Sequence, residues 1–513
     1  MQNDWPNRAK GESRQSQGQS SGSQATPIEW HDDRPKEECG VIGVYSPDSQ
    51  AARQIFFALF ALQHRGQESA GIAVTDGHDV RMHRAMGLIS QVFDEEKLLP
   101  LVGDMGIGHT RYSTSGASVL RNAQPIYCTS SVGEIAVAHN GNLINANQLR
   151  QELVQEGETL DTTADSEVIA RLLVKNLHLG PENAVSAVMK RIKGAYSVTV
   201  LTPNMVLGFR DPNGVRPLVA GRIGSGWMVA SESCAFWPVG GEVEHEVGPG
   251  EVVIIDQSGM RFAQAAPKVK DTMCLFEFIY FARPDSEMYG EGLYQVRENM
   301  GRELAKEQPV DADVVVPVPD SGIPAAQGFS QESGIPFHEA MMKSRYIHRT
   351  FIQPDQRLRE LGVRMKLAPL KGQINGKRIV LVDDSIVRAT TTKQIVKLLF
   401  DCGAREVHVR ITAPPIKYPC FYGIDMASKG ELAAAVMSIP EICKHLGANT
   451  LGYLSIEGAS RATGGANGKL CLACFNGEYP ISVPAGMTKM AFEEPPDVGQ
   501  LATVTRGQGT LDF

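Results

Sequence analysis

No apolar run in this 513-residue chain is long enough to cross a bilayer; the densest, IFFALFAL at 55–62, reads as a buried helix. There is no basic excess either. Fifty Lys and Arg against 58 Asp and Glu leave a net charge of −8, which argues against broad binding to nucleic acid or to an anionic membrane. Cysteine is sparse. Nine residues, odd in number and scattered, exclude a disulfide framework and suit reduced thiols, one nucleophile and a metal site. Residues 1–38 are rich in Gln, Ser, Gly and charge and contain no apolar core segment, so they carry neither a secretory signal nor a membrane anchor. A cytosolic location is the expectation. The amino-terminal half contains no dinucleotide-binding fingerprint, and the length exceeds what one core usually organises, so two domains are expected.

What the chain does contain is most concentrated at 379–391, IVLVDDSIVRATT. Ile379 to Val382 read as a buried parallel strand, and Thr390 to Phe400 carry a helical pattern with Ile395, Val396, Leu398 and Leu399 on one face. The amides of Ile386 to Thr391, with the hydroxyls of Thr390 and Thr391, would then lie at a helix N-terminus, where orphan donors and the helix dipole favour a phosphate. Asp383 and Asp384 enter the turn before it, suited to vicinal ribose hydroxyls or to a Mg²⁺ ion shared with a diphosphate. The same pattern in another doubly wound domain could use the aspartates only as helix caps. A second strand, VVVPVPDSG at 314–322, ends in a polar turn where Ser321 and its neighbouring amides could grip a pyrophosphate.

Two acidic residues followed by S-I-V-R-x-T-T resemble the phosphoribosyl-diphosphate (PRPP) signature of the type I phosphoribosyltransferases. The resemblance implies PRPP contacts from Ser321, Asp383, Asp384, Ser385, Arg388, Thr390 and Thr391, with Mg²⁺ held near Ser321, Asp383 and Asp384. The family pattern usually has glycine where this chain has Ala389. A helical φ there would accept the methyl group, and that is the expectation.

At Cys39 the polar leader gives way to CGVIGVYS, a glycine-punctuated strand. Helices are predicted near 51–63, 146–157 and 164–178, with a strand at 72–75 and further strands to about 256, which suggests stacked sheets and helices. By itself Cys39 reads as a small buried apolar residue as readily as a reactive thiol. The series CGVIGV, LQHRGQESAGI, GHTRYST, AHNGNL and TTADSE, however, resembles in order and wording the glutamine amidotransferase domain of the N-terminal-nucleophile hydrolases. In that class the cysteine becomes the first residue, and its own α-amine serves as base for its thiol. An α-amine with a pKa near 7.7–8 can take that proton at neutral pH without a histidine. The resemblance thus implies a propeptide at 1–38, cut at Glu38–Cys39. It also implies an oxyanion site from Asn140 and the Gly141 amide, Arg111 on the glutamine α-carboxylate, Asp165 on its α-ammonium, and Arg65 as a glutamine-site residue that closes over the site or orders its loops.

Cys471 and Cys474 form CLAC, a spacing that brings two sulfurs to one metal or cluster. Cys274, in MCLFEFIYFARPDS, and Cys420, in KYPCFYGID, lie in segments similar to the iron–sulfur subgroup of the same glutamine-dependent phosphoribosyltransferases. One [4Fe–4S] cluster per subunit is implied, with zinc as the rival for a four-cysteine site. Cys128, Cys234, Cys402 and Cys443 read as buried apolar residues.

Together these resemblances cover about residues 39–485. They imply an α+β four-layer N-terminal-nucleophile glutaminase domain (39–268) followed by an α/β type I phosphoribosyltransferase domain (269–485), flanked by the leader 1–38 and a tail, 486–513. The implied activity is ammonia release from glutamine and its transfer to C1 of PRPP, with one Mg²⁺ per subunit, as the opening step of purine synthesis. Purine nucleotides as feedback inhibitors and a homotetramer are implied, with no nucleic-acid or membrane partner. The segment 342–367, with Lys343, Arg345 and Tyr346, resembles the family's loop that closes over PRPP. Two other classes share parts of this pattern. A glutamine-dependent sugar aminotransferase would carry sugar-isomerase motifs in place of Asp383-Asp384 and Thr390-Thr391. A PRPP-sensing regulator that binds nucleic acid would need a basic recognition element, which this chain lacks.

Overall fold

The computed structural model describes residues 39–112, 118–130, 133–344, 367–424 and 429–484. The leader 1–38, Arg345 and Tyr346 with most of their loop, and the tail 486–513 lie outside the described residues.

The first domain is built on two antiparallel sheets. Its strands are Gly40–Tyr45 (β1), Ser69–Thr75 (β2), Val80–Met86 (β3), Met105–Arg111 (β4), Ile126–Ser130 (β5), Gly133–Leu143 (β6) and Gly194–Thr202 (β7). They continue with Met205–Arg210 (β8), Val219–Ile223 (β9), Gly226–Ala230 (β10), Gly241–Glu246 (β11), Glu251–Asp256 (β12) and Gly259–Gln264 (β13). One sheet runs β11-β9-β10-β1-β4-β2-β3 and the other β13-β12-β8-β7-β6-β5. Central strands such as β2 and β7 are buried along their whole length because each sheet is covered on both faces.

Between the sheets lie Val41, Ala73, Ile107, Ala138, Val206 and Val229. Helix Ala51–Ala61 covers the outer face of the first sheet, setting Ile55 and Leu59 against Ile42 and Ile72. Helices Ala146–Gln155, Asp165–Asn176 and Pro181–Arg191 cover the second, with Leu153, Val168 and Val188 against Val137 and Val198. These are the four layers expected from the sequence. The third of those helices was not anticipated, although Pro181 at its first position and Glu182 in its first turn are ordinary start signals.

In the second domain a parallel sheet runs in the order Val314–Pro317, Arg378–Asp383, Glu406–Ile411, Thr450–Tyr453. The carboxyl ends of its first two strands deliver the turns at 318–322 and 384–389 to the same edge, where open α/β sheets place their ligands. Helices Leu293–Glu307, Ile323–Ser333, Thr390–Asp401 and Ile439–Leu446 accompany it. Met273–Cys274 runs parallel to Leu470–Cys471 with Cys274 in register with Cys471, so the beginning and end of this domain are joined at the cysteines.

The two domains share buried contacts. Ile144, Ala195 and Val215 of the first belong to the same apolar cluster as the second domain's core. Beside them, Arg65 donates to Glu232 through Nε and to Glu277 through Nη2, the latter at 2.6 Å, and all three side chains are sealed from water. Glu232 also accepts from the Ser286 hydroxyl at 2.7 Å and the Arg283 amide at 2.9 Å, both from the second domain. Burial alone would raise the Glu232 carboxyl, but Arg65 and His64 hold it well below the usual range.

Candidate active site

Cys39 immediately precedes β1, and the pairing of Gly40 with Thr110 sets it beside Arg111 at the end of β4. Its thiol is buried and donates to the Tyr112 carbonyl at 3.3 Å. Burial pushes the thiol up to about 11, an effect that this hydrogen bond and the Arg111 charge reduce and the Glu68 and Asp165 charges reinforce. A thiol held so high gives little thiolate at neutral pH, and the acceptor it touches is a carbonyl rather than a base.

Asn140 and Gly141 lie next to each other on β6. Both amide atoms of the buried Asn140 side chain lack a hydrogen-bond partner. A buried primary amide left in that state is costly unless a ligand completes it. Gly141 has φ of 141°, and a Cβ there would stand 2.0 Å from the Ala195 carbonyl oxygen, so only glycine fits.

Asp165 opens the helix Asp165–Asn176. Burial would raise its carboxyl, but His139, whose Nδ1 is 3.4 Å away, and the Leu143 amide at 3.0 Å hold it below the usual range. Arg111 lies 3.9 Å from Glu68. The structure therefore gathers Cys39, Arg111 and Asp165 within one electrostatic neighbourhood. Glu68 and His139 belong to it too. Both sit inside the motifs HRGQESAG and AHNGNL, where position within the motif was the available signal. The guanidinium of Arg65 is paired with Glu232 and Glu277 and is 1% exposed, which sets it in the buried contact between the domains.

At the sheet edge of the second domain, Ser321 donates to one oxygen of Asp384, and the Ser385 hydroxyl donates to the other at 2.6 Å. The Asp384 amide donates to Asp383 Oδ1 at 2.9 Å, and both carboxylates are buried. The N-cap of the following helix is Ala389. Thr390 is exposed and Thr391 half-buried at the first turn, which has no acidic residue to repel an anion. Arg388 lies 3.6 Å from Glu431. Lys343 donates to Asp320 at 2.7 Å, beside Ser321. Ala389 corrects the expectation of a helical φ: it has φ 66° and ψ 8°, a left-handed conformation, and is fully buried.

Cys274, Cys420, Cys471 and Cys474 line one cavity. Burial, reinforced by the neighbouring thiols, pushes Cys474 well up, and burial pushes Cys471 up to about 12. Among the described residues no group of His, Cys, Asp or Glu converges as for a single ion. Of the other four cysteines, Cys128, Cys234 and Cys402 are buried as expected; Cys443 is only half-buried, its thiol donating to the Ala448 carbonyl at 3.4 Å.

Residues 109–238 match the family of glutamine amidotransferase domains, and residues 291–415 the family of phosphoribosyl transferase domains. An amidophosphoribosyltransferase from Synechococcus elongatus is 49% identical over 458 residues, which is 88% of this chain and 93% of that protein. The solved structure of the allosteric regulatory enzyme of purine biosynthesis matches with a TM-score of 0.85 and 44% identity, covering 89% of this chain and 100% of that one. A glutamine PRPP amidotransferase from Bacillus subtilis complexed with ADP and GMP matches with a TM-score of 0.83, also at 44% identity, over 88% and 99% of the two chains.

The conformation of Ala389 has a measurable consequence. A left-handed residue bearing a Cβ is strained by about 1–2 kcal/mol, partly offset by the lower unfolded-state entropy of alanine. Ala389→Gly relieves that strain but removes a buried methyl group worth about 0.8 kcal/mol, so it should change stability by no more than about 1 kcal/mol in urea unfolding, whereas Ala389→Val lowers it. A loss of more than about 2 kcal/mol in the glycine variant would contradict the left-handed turn.

Proposed function

This chain belongs to the amidophosphoribosyltransferase family, and we propose that the two sites described above carry the two halves of that family's reaction. The enzyme hydrolyses glutamine to glutamate and ammonia and adds the ammonia to C1 of PRPP, releasing pyrophosphate and forming 5-phosphoribosylamine, the first step of purine synthesis.

In the glutamine half, removal of residues 1–38 frees the α-amine of Cys39. That amine takes the thiol proton, the thiolate attacks the side-chain amide carbon, and the amine returns the proton to the departing ammonia. Water then hydrolyses the thioester. Asn140 Nδ2 and the Gly141 N–H receive the oxyanion, Arg111 the α-carboxylate and Asp165 the α-ammonium, so an amino acid is selected over a bare amide. The observation that carries this reading is the pair formed by a thiol pushed up to about 11 without a side-chain base and a buried Asn140 amide with neither atom bonded. Each lacks what this half-reaction supplies.

In the second half, Thr390, Thr391 and the amides of the helix start take the 5′-phosphate, Asp383 and Asp384 the ribose hydroxyls, and Ser321 with its neighbouring amides the pyrophosphate. Ser385 and Arg388 complete the turn, and Lys343, Arg345 and Tyr346 belong to the loop that covers PRPP. The oxygen donors of Ser321, Asp383 and Asp384 suit Mg²⁺, which when bound would neutralise charge on the departing pyrophosphate. Asp384 accepts from the Ser321 and Ser385 hydroxyls, so these oxygen donors lie together.

We assign the four-cysteine cavity to a [4Fe–4S] cluster, which places the chain in the iron–sulfur subgroup. A single zinc ion, with Zn–S near 2.3 Å, needs four sulfurs only about 3.8 Å apart. A [4Fe–4S] cluster takes four cysteine thiolates, and these four thiols line one shared cavity. The cluster's contribution is structural, joining segments that are distant in sequence. Unpaired cysteines throughout the described residues accord with a reducing, cytoplasmic location. A homotetramer inhibited by purine nucleotides completes the reading; the nucleotide half of it is supported by the Bacillus subtilis relative complexed with ADP and GMP.

Active enzyme should begin at Cys39 by intact mass, and full glutaminase activity in a chain retaining residues 1–38 would contradict the mechanism. Cys39→Ala should abolish use of glutamine while sparing synthesis from ammonium salts. Because the base must be unprotonated, glutamine-dependent kcat/KM should fall as pH drops below about 7.7–8. Protein prepared without air should be brown, with iron and acid-labile sulfide. A colourless protein with about one zinc per chain would overturn the cluster assignment.

A further inference from the structure

The backbone of Gly141, assigned above to the oxyanion, is gripped from two sides. On one side β7 brings the Ala195 carbonyl so close that no Cβ fits. On the other stands Gly423, from the second domain. A Cβ added at Gly423 would lie 3.0 Å from the Gly141 carbonyl carbon, 3.2 Å from its Cα and 2.9 Å from Arg216 Nη2, and φ at Gly423 is 110°. Two glycines from different domains are thus in backbone contact where a donor must be held in place.

The neighbouring residues fasten this contact. Asn142 Nδ2 donates to the Phe421 carbonyl at 2.9 Å. Arg216 donates through Nε to the Tyr422 carbonyl at 3.1 Å. The Tyr422 hydroxyl donates to the Ile481 carbonyl at 2.6 Å, and the Ile481 amide donates back to it at 3.0 Å. Consecutive carbonyls of one short segment are therefore held by two buried side chains of the first domain. The segment's own tyrosine is anchored near the end of the second domain.

We propose that residues 420–423 are a positioning element of the glutamine half-site, acting through Asn142 and the Gly141 backbone rather than by touching glutamine. This rests on the assignment of Gly141 to the oxyanion. An oxyanion donor acts only when fixed close to where charge develops, and its removal commonly lowers kcat by about 10²–10³. A shift of the Gly141 peptide should therefore reduce turnover while leaving glutamine recognition by Arg111 and Asp165 in place. It follows that the first domain is an incomplete glutaminase without this segment of the second.

The test uses full-length processed enzyme carrying Asn142→Ala or Gly423→Ala. Both should lower glutamine-dependent kcat tenfold or more, with KM for glutamine within about threefold of wild type. Ammonium-dependent synthesis should stay within about twofold, which also reports that the protein is folded. Cys39 should be alkylated by iodoacetamide at the wild-type rate, because that reaction uses no oxyanion donor. Asn142→Ala removes one hydrogen bond and leaves the backbone free of new atoms, so it decides the matter if the Gly423 variant fails to fold. Glutamine turnover within twofold of wild type in a folded variant would overturn the proposal, as would equal loss of both half-reactions. A wild-type protein with no glutaminase activity would instead sink the family mechanism in this chain, and this inference with it.

Discussion

Two carboxylates almost without access to water, Glu232 from the first domain and Glu277 from the second, fix how the halves of this chain meet. A buried charge without a partner is severely destabilising, so each must be matched. Arg65 reaches both, and Arg216 approaches Glu277 at 3.9 Å while also holding the Tyr422 carbonyl. Apolar packing between domains would tolerate some sliding. This arrangement of guanidinium forks and carboxylates has one geometry in which every charge is answered, and the contacts that depend on alignment follow from it. They include the Gly141–Gly423 approach and the bond from Asn142 to Phe421.

The same logic of burial explains the chemistry assigned to the first domain. Enclosing Cys39 makes its thiol harder to ionise. In the proposed half-reaction the base arrives with the nucleophile, as the amine of its own residue. Burial also leaves both atoms of the Asn140 side-chain amide without a hydrogen-bond partner. In the second domain small hydroxyls, backbone amides and two carboxylates meet on the turns at one sheet edge, where the proposed PRPP site lies.

Much of this was legible in the sequence where the information is local. The strand, acidic turn and helix at 379–401 show themselves by a switch from a continuous apolar run to helical spacing, and the structure has the strand at Arg378–Asp383 and the helix at Thr390–Asp401. What could not be read depends on partners far along the chain. Arg65 stands in a motif of the site, while its partner Glu277 is 212 positions away. Asn142 meets Phe421 across 279 positions. Ala389 departs from a helical φ because closure of the turn between strand and helix overrides alanine's local preference.

The central claim is that the two sites form one enzyme whose domain alignment matters for chemistry. The most direct measurement is synthesis from amide-¹⁵N-labelled glutamine in the presence of unlabelled ammonium, following isotope in the phosphoribosylamine formed and glutamate released with and without PRPP. The account predicts product that is predominantly ¹⁵N-labelled, about one glutamate per phosphoribosylamine, and glutamine hydrolysis that rises when PRPP is added. Product labelled only in proportion to free ammonia, with glutamine hydrolysis indifferent to PRPP, would contradict it: the two domains would then merely share a chain.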